Sequence, residues 1–424
     1  MANQAPPRQI TQPRMAKALF ALCWMGYFLT YFGRLNYNAV MAQVLAEGVL
    51  TKPQAGLVGT AFFFTYAVGQ LFSGWVGDKV SPRLFICTGL VLSGVCNLLM
   101  GLATAYPLML GLWCVNGFVQ SFAWPPLLRI FCERFTPATR LRACVAINTT
   151  VPLGTLVTYG FAGWMAARGT WRFTFTAAGL VLCVFAVVWL TAMGRLERWA
   201  AVHGTLPAAQ NAAAPGVAGP KNKRFWPLFC AAGLPLLCLA LAVQGMLKDS
   251  VTSWAPVYLS ENYGLAAAAA ILTTMVIPLL NIFGMVAAGV MMQRKAREHT
   301  HAAALYLLCA LLLGLLMVFG GKNALVAIAL LALATTAMIA VNTLLISVFP
   351  GHFSATGRVA TVSGILNFSV YVGSAISNYG IGALAAGRGW GPVLLLWTVS
   401  AIIGAALCLL AGRCWKTHKE ELTA

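Results

Sequence analysis

Apolar residues fall along the chain in long blocks, each about as long as a bilayer crossing and each closed by a short polar or basic stretch. The first set runs Ala18 to Val40, Gln54 to Val76, Leu84 to Ala103, Leu108 to Leu128, Ala143 to Ala166 and Phe173 to Met193. A second set runs Phe225 to Val257, Ala266 to Met292, Ala302 to Gly320, Ala324 to Phe349, Val359 to Ala385 and Gly391 to Ala411. A crossing takes roughly 20 apolar residues, and a segment in lipid must satisfy its backbone hydrogen bonds internally, so each block predicts a helix. The expected fold is an all-α membrane protein with twelve transmembrane helices in two pseudo-symmetric six-helix bundles. Residues 1–194 form the first bundle, 195–224 a cytoplasmic linker and 225–424 the second bundle. The stretch Ala200 to Gly219, rich in Ala, Pro and Gly, reads as flexible.

The two sets repeat at the residue level. Gly74-x-x-x-Asp78-Lys79 recurs as Gly289-x-x-x-Gln293-Arg294, an offset of 215, and Trp171 recurs as Trp390, an offset of 219. A steady offset of this kind marks a duplicated six-helix unit.

Composition agrees: 60% of the 424 residues are hydrophobic and 9% charged, which excludes an ordinary soluble protein and leaves no room for a large second domain. The polar start, Met1 to Arg14, precedes an apolar run longer than a signal-peptide core and no small-residue cleavage pattern follows, so the first helix is expected to be uncleaved. A net charge of +19 could suggest a nucleic-acid partner, but the basic residues are placed by topology. Only Lys52, Arg168, Arg172, Lys322 and Arg388 fall on one side and two more lie inside helices; the other 21 of the 28 Lys and Arg fall on the opposite side. That bias puts both termini in the cytoplasm of a multi-pass protein of the inner membrane, with no nucleic-acid partner.

Several chemistries are missing. The twelve cysteines include Cys23, Cys87, Cys96, Cys183, Cys238, Cys309 and Cys408 within apolar runs, and they read as small buried thiols, not as bridges or metal ligands. His203, His299, His301, His352 and His418 lie in cytoplasmic segments or at their edges, and His299-x-His301 is too sparse for a metal site. With no phosphate-cradling Gly-x-x-x-x-Gly-Lys loop, no nucleophile elbow and no paired carboxylates, the expectation is no metal, no cofactor, no ATP drive and no enzyme activity.

Two basic residues, Arg34 and Lys248, sit well inside expected helices, where a charge costs about 2.5–3.5 kcal/mol even on the lenient insertion scale. The repeat offset sets Arg34 opposite residues 249–253, within a turn of Lys248, so the two halves are expected to present one cation each at a shared depth. A planar guanidinium fork and a compact ammonium converging in a polar cavity form a receptor for phosphate or carboxylate. Asp249 adjoins Lys248 and is read as a charge partner or proton acceptor. Tyr27, Thr30, Tyr31, Tyr37 and Asn38 share the Arg34 face, at helical spacing, and Gln244 and Thr252 that of Lys248. Tyr66 and Gln70 on the second helix face the same region.

Gly74-Trp-Val-Gly-Asp78-Lys79-Val-Ser-Pro-Arg83 resembles the signature loop of the major facilitator superfamily. The resemblance implies a conformational latch made by Gly74, Asp78, Lys79 and Arg83, whose charges meet neighbouring helix ends in one access state. More narrowly, Tyr31-Phe-Gly-Arg34-Leu-Asn-Tyr37-Asn38, Asn116-Gly-Phe-Val-Gln120-Ser-Phe-Ala-Trp124-Pro125-Pro126 and Trp254-Ala-Pro256-Val-Tyr258-Leu resemble the organophosphate:phosphate antiporters. This resemblance adds Gln120 and Asn148 to the cavity. It also implies departures, since those antiporters carry Arg, Lys and His where this chain has Lys248, Gln70 and Val151, which makes the cavity here less positive. The expected function is alternating-access transport of a small organic anion (an organophosphate, phosphonate or similar) by anion exchange, in a monomer whose partners are the substrate and the lipid bilayer. Two alternatives stand beside it: a proton-coupled symporter of a sugar acid or other carboxylate, and a non-transporting membrane sensor of a phosphorylated metabolite.

Overall fold

The computed structural model describes residues 8–166, 168, 171–205, 225–264, 276–294, 297–320, 323–354 and 356–423. The chain starts with α1 (Pro13–Ala46), α2 (Lys52–Gly77), α3 (Pro82–Leu102), α4 (Tyr106–Gln120), α5 (Trp124–Arg134), α6 (Pro137–Ala146), α7 (Thr150–Ala166) and α8 (Trp171–His203). It continues with α9 (Phe225–Ala231), α10 (Leu234–Tyr263), α11 (Val276–Arg294), α12 (Glu298–Phe319), α13 (Ala324–Asn342), α14 (Val359–Arg388) and α15 (Trp390–Thr423). Among the described residues ten helical segments are long and apolar enough to cross a membrane. The other two of the twelve crossings are the α4–α5 pair and α11, of whose block only Val276–Arg294 is described.

Local chemistry sets the helix ends. Thr51 and Gln54 form a capping box at the start of α2, with the Thr51 amide donating to Gln54 Oε1 at 2.9 Å. Pro82 opens α3, where its missing N–H has no helical partner to lose. The fourth block is split at residues 121–123 because Pro125 and Pro126 have no N–H to donate to the preceding turn. Gly233, at φ 78°, makes the bend between α9 and α10, a conformation that costs glycine little. The helix α8 runs on to His203 through the first part of the expected linker, and residues 206–224 of that linker lie outside the described residues.

The chain forms two compact units, one of residues 1–221 with 353–364, the other of 222–352 with 365–424. In the first, α3 packs on α8 and α4, α2 on α4, and α1 on α7 and α8. In the second, α12 packs on α15 and α13, α11 on α13, and α10 on α15 and α13. The third–sixth, second–fourth, first–sixth and third–fourth pairings of one unit thus recur in the other. The duplication extends to single hydrogen bonds. Trp171, opening α8, donates its indole N–H to Glu47 at 2.6 Å just past α1, and Trp390, opening α15, donates to Glu261 near the end of α10 at 2.7 Å.

Candidate functional site

In the first unit, Tyr27, Tyr31 and Arg34 project from one stripe of α1 because seven residues make about two turns. The guanidinium carbon of Arg34 lies 3.9 Å from the centre of the Tyr31 ring, 5.8 Å from that of Tyr27 and 5.4 Å from that of Tyr66 on α2. Tyr27 in turn packs against Trp124 at the start of α5, ring centres 5.0 Å apart. Arg34 is 7% exposed and keeps its charge, since a guanidinium does not deprotonate in proteins. Cation–π contacts contribute about 0.5–2 kcal/mol, which offsets part of the burial cost.

A polar network behind this stripe fixes the rotation of α1. Asn36 donates to Asn97 at 2.7 Å, and both Asn97 and Asn116 donate to the Gly33 carbonyl at 3.0 Å. Ser93 donates to Asn116 and Gln120 donates to Ser93, each at 2.7 Å. Because the bonds hold positions 33 and 36 against α3 and α4, Arg34 must leave the helix on a neighbouring face. Gln120, expected in the cavity, therefore has its amide N–H engaged in the bundle.

Gln70 follows Tyr66 by one turn on α2, is fully buried, and has no hydrogen-bond partner for either amide atom among the described residues. A buried amide left unmatched costs about 1–3 kcal/mol, so the site holds unmet polar demand beside the aromatic cage. Other expected residues serve local structure. The Tyr37 hydroxyl donates to the Ala55 carbonyl at 3.0 Å, Asn148 donates to Cys144 at 2.7 Å within its own helix, and Thr30 donates to Tyr27 at 2.6 Å. Asn38 is half-buried on α1.

In the second unit, Lys248 Nζ lies 3.2 Å from Asp249 Oδ1. Adjacent helical residues point about 100° apart, yet the long lysine stem curls back far enough to make the pair. Asp249 also accepts a hydrogen bond from Ser374 on α14. Gln244 sits one turn before Lys248 and donates to the Met338 carbonyl at 3.0 Å, tying α10 to α13, while Thr252 donates to the Lys248 carbonyl at 2.7 Å.

The loop after α2 has a well-defined seat. Both oxygens of Asp78 accept backbone N–H groups at the start of α14, from Ala360 at 2.9 Å and Thr361 at 2.8 Å, where the helix dipole favours an anion. Burial raises the Asp78 carboxyl above its ordinary value of 3.8, opposed by the Thr361 hydroxyl, the two backbone donors and the charge of Arg129. Arg129 donates to the carbonyls of Gly77 at 2.6 Å and Val80 at 2.8 Å, and pairs with Glu133 at 2.6 Å. Lys79 stands 3.1 Å above the Trp75 ring, and Arg83 pairs with Glu197 at 3.5 Å. The sequence reading missed Arg129, Thr361, Ser374 and the asparagine network; the Arg129–Glu133 spacing of four residues was the one visible signal among them.

The family model described as Major Facilitator Superfamily matches residues 23–378. The chain is 22% identical to the "Probable hexose phosphate transport protein" of Chlamydia trachomatis, over 98% of this chain and 96% of that one. It is 28% identical to the "Membrane sensor protein UhpC" of Salmonella typhimurium, over 57% of this chain and 56% of that one. Among solved structures it resembles the proton:xylose symporter XylE bound to 6-bromo-6-deoxy-D-glucose, with TM-score 0.73, 14% identity, and coverage of 95% of this chain and 96% of that one.

Proposed function

The chain belongs to the major facilitator superfamily, as a multi-pass membrane transporter, and from that premise we propose that it exchanges small organic anions, of the organophosphate class, by alternating access with both termini in the cytoplasm. The observation that carries this reading is Arg34, a permanently charged guanidinium buried in the first bundle among Tyr27, Tyr31 and Tyr66. An intramembrane cation is retained against its cost where it meets an anion. The guanidinium fork suits two oxygens of a phosphate or phosphonate, and the amide of Gln70 adds a donor and an acceptor. In the second unit Lys248 pairs with Asp249, which lowers the net positive charge of that helix face and suits an anion of modest charge. The name of the Chlamydia relative agrees with this substrate class. An empty carrier with buried cations crosses reluctantly, which favours exchange over net flux.

One observation favours a second reading. Asp249, paired with Lys248 and accepting a hydrogen bond from Ser374, places a carboxylate inside the second unit, the kind of group a proton-coupled carboxylate symporter requires.

Sealed vesicles reconstituted with the protein and loaded with phosphate test both. Exchange predicts uptake of glycerol phosphate or hexose phosphate only with anion inside, and its loss in Arg34→Gln while the protein still inserts. Uptake driven by an imposed pH gradient without internal anion would select the symport reading, and ligand binding with no flux would select a sensor.

A further inference from the structure

Where α8 leaves the hydrocarbon, its outer face changes from aliphatic to basic. Val184, Val187 and Val188 are exposed on this helix, and Arg195 and Arg198, also exposed, follow about two to four turns later. The 33 residues of α8 extend about 50 Å at ~1.5 Å per residue against a hydrocarbon thickness of about 30 Å. Counted from the first residues of the helix, some 20 residues of crossing end close to Arg195, at headgroup level.

A cavity of about 670 Å³ opens beside them, between the end of α8 and the start of α3, lined by Arg83, Arg195, Arg198, Thr191 and Glu197. Three guanidiniums against one carboxylate leave a net positive wall. Arg83 is held there by the fold. Its guanidinium lies flat on α8 over Gly194, where a Cβ would come within 2.7 Å of Cζ, and Glu197 holds one end at 3.5 Å. Its Nε is buried with no hydrogen-bond partner among the described residues. On the lipid side of α3, Leu84 is exposed next to it.

We propose that this cavity binds the headgroup of an anionic phospholipid, with the phosphodiester on the arginines and the acyl chains along the valine stripe of α8 and Leu84. The phosphodiester offers two oxygens to a guanidinium fork, and only a lipid also covers the aliphatic stripe. A free phosphate shares the first contact and lacks the second.

The test uses the whole protein in detergent, titrated with short-chain phosphatidylglycerol, phosphatidylcholine of the same chain length, or inorganic phosphate, and read by native mass spectrometry. Phosphatidylglycerol is expected to bind in preference to phosphatidylcholine and to be left in place by inorganic phosphate. The exposed pair Arg195→Gln with Arg198→Gln is expected to weaken it roughly 30-fold, and the pair Arg195→Lys with Arg198→Lys to restore most of the loss. An undiminished preference in the glutamine variant would overturn the proposal, and so would full competition by inorganic phosphate, which would identify a soluble anion as the occupant.

Discussion

The seat of Asp78 depends on two backbones meeting without side chains between them, and Gly74 is the point of contact. A methyl group there, as in Gly74→Ala, would lie 2.8 Å from the Ala360 carbonyl oxygen, 3.1 Å from Gly364 Cα and 3.3 Å from Thr361 Cα. Ordinary contacts begin at 3.4 Å, so the start of α14 must withdraw by about 0.6 Å, which takes the Asp78 bonds of 2.9 and 2.8 Å beyond good hydrogen-bond length. Overpacking of this kind costs about 1–3 kcal/mol, while the helix propensity gained by α2 is common to the docked and undocked states and cancels. That cost corresponds to an about 5- to 160-fold rise in the undocked population of residues 359–364. Hydrogen exchange read by mass spectrometry over that segment measures it directly. Gly111→Ala is the control, since a Cβ at position 111 meets nothing within 4 Å and gains propensity alone. Equal protection of residues 359–364 in the wild type and Gly74→Ala would refute the reasoning.

Three further outcomes follow from the same structure. Because burial raises Asp78 above 3.8, the docked carboxyl holds its proton more tightly than a hydrated one, so its contribution to docking is fully present below 3.8 and is lost as pH rises through the raised value; exchange of residues 359–364, corrected for intrinsic rates, should show this trend in the wild type and not in Asp78→Asn. Trp171→Phe and Trp390→Phe each remove an N–H bond to a carboxylate, with an expected loss of about 1.5–3 kcal/mol and a lower unfolding midpoint; Glu47→Gln and Glu261→Gln should fall between these variants and the wild type. Asn116→Leu strips one support from the Gly33 carbonyl and leaves Ser93 without its acceptor, so stability should drop by about 1–3 kcal/mol and ligand affinity should fall with it, since α1 is then less firmly rotated; unchanged affinity in a destabilised variant would separate the network from the site.

Much of the fold was legible because lipid allows so few solutions: a run of twenty apolar residues has to be a helix, and a repeat offset has to be a duplication. The split at residues 121–123 was also written in Pro125 and Pro126, although the uninterrupted hydropathy of that block hid it. Around Arg34, Tyr27 and Tyr31 were readable from spacing along one helix, while the reach of Tyr66 depended on how α2 packs. What the sequence could not carry were bonds to backbone atoms. Nothing marks Ala360 and Thr361 as donors to a carboxylate 282 and 283 residues earlier, or the Ala55 carbonyl as the acceptor for Tyr37, because any residue provides those groups. The Lys248–Asp249 pairing was one of the two readings that adjacency allowed, and the four-carbon stem makes it by bending off its helical direction.

The indole-to-carboxylate bond at the mouth of each six-helix unit fastens the last helix of the set to the end of the first. A ribbon of helices stitched at its two ends becomes a hoop, and a hoop resists splaying even when it is tugged at one rim. Each six-helix set thus carries its own clasp, and neither borrows it from the other.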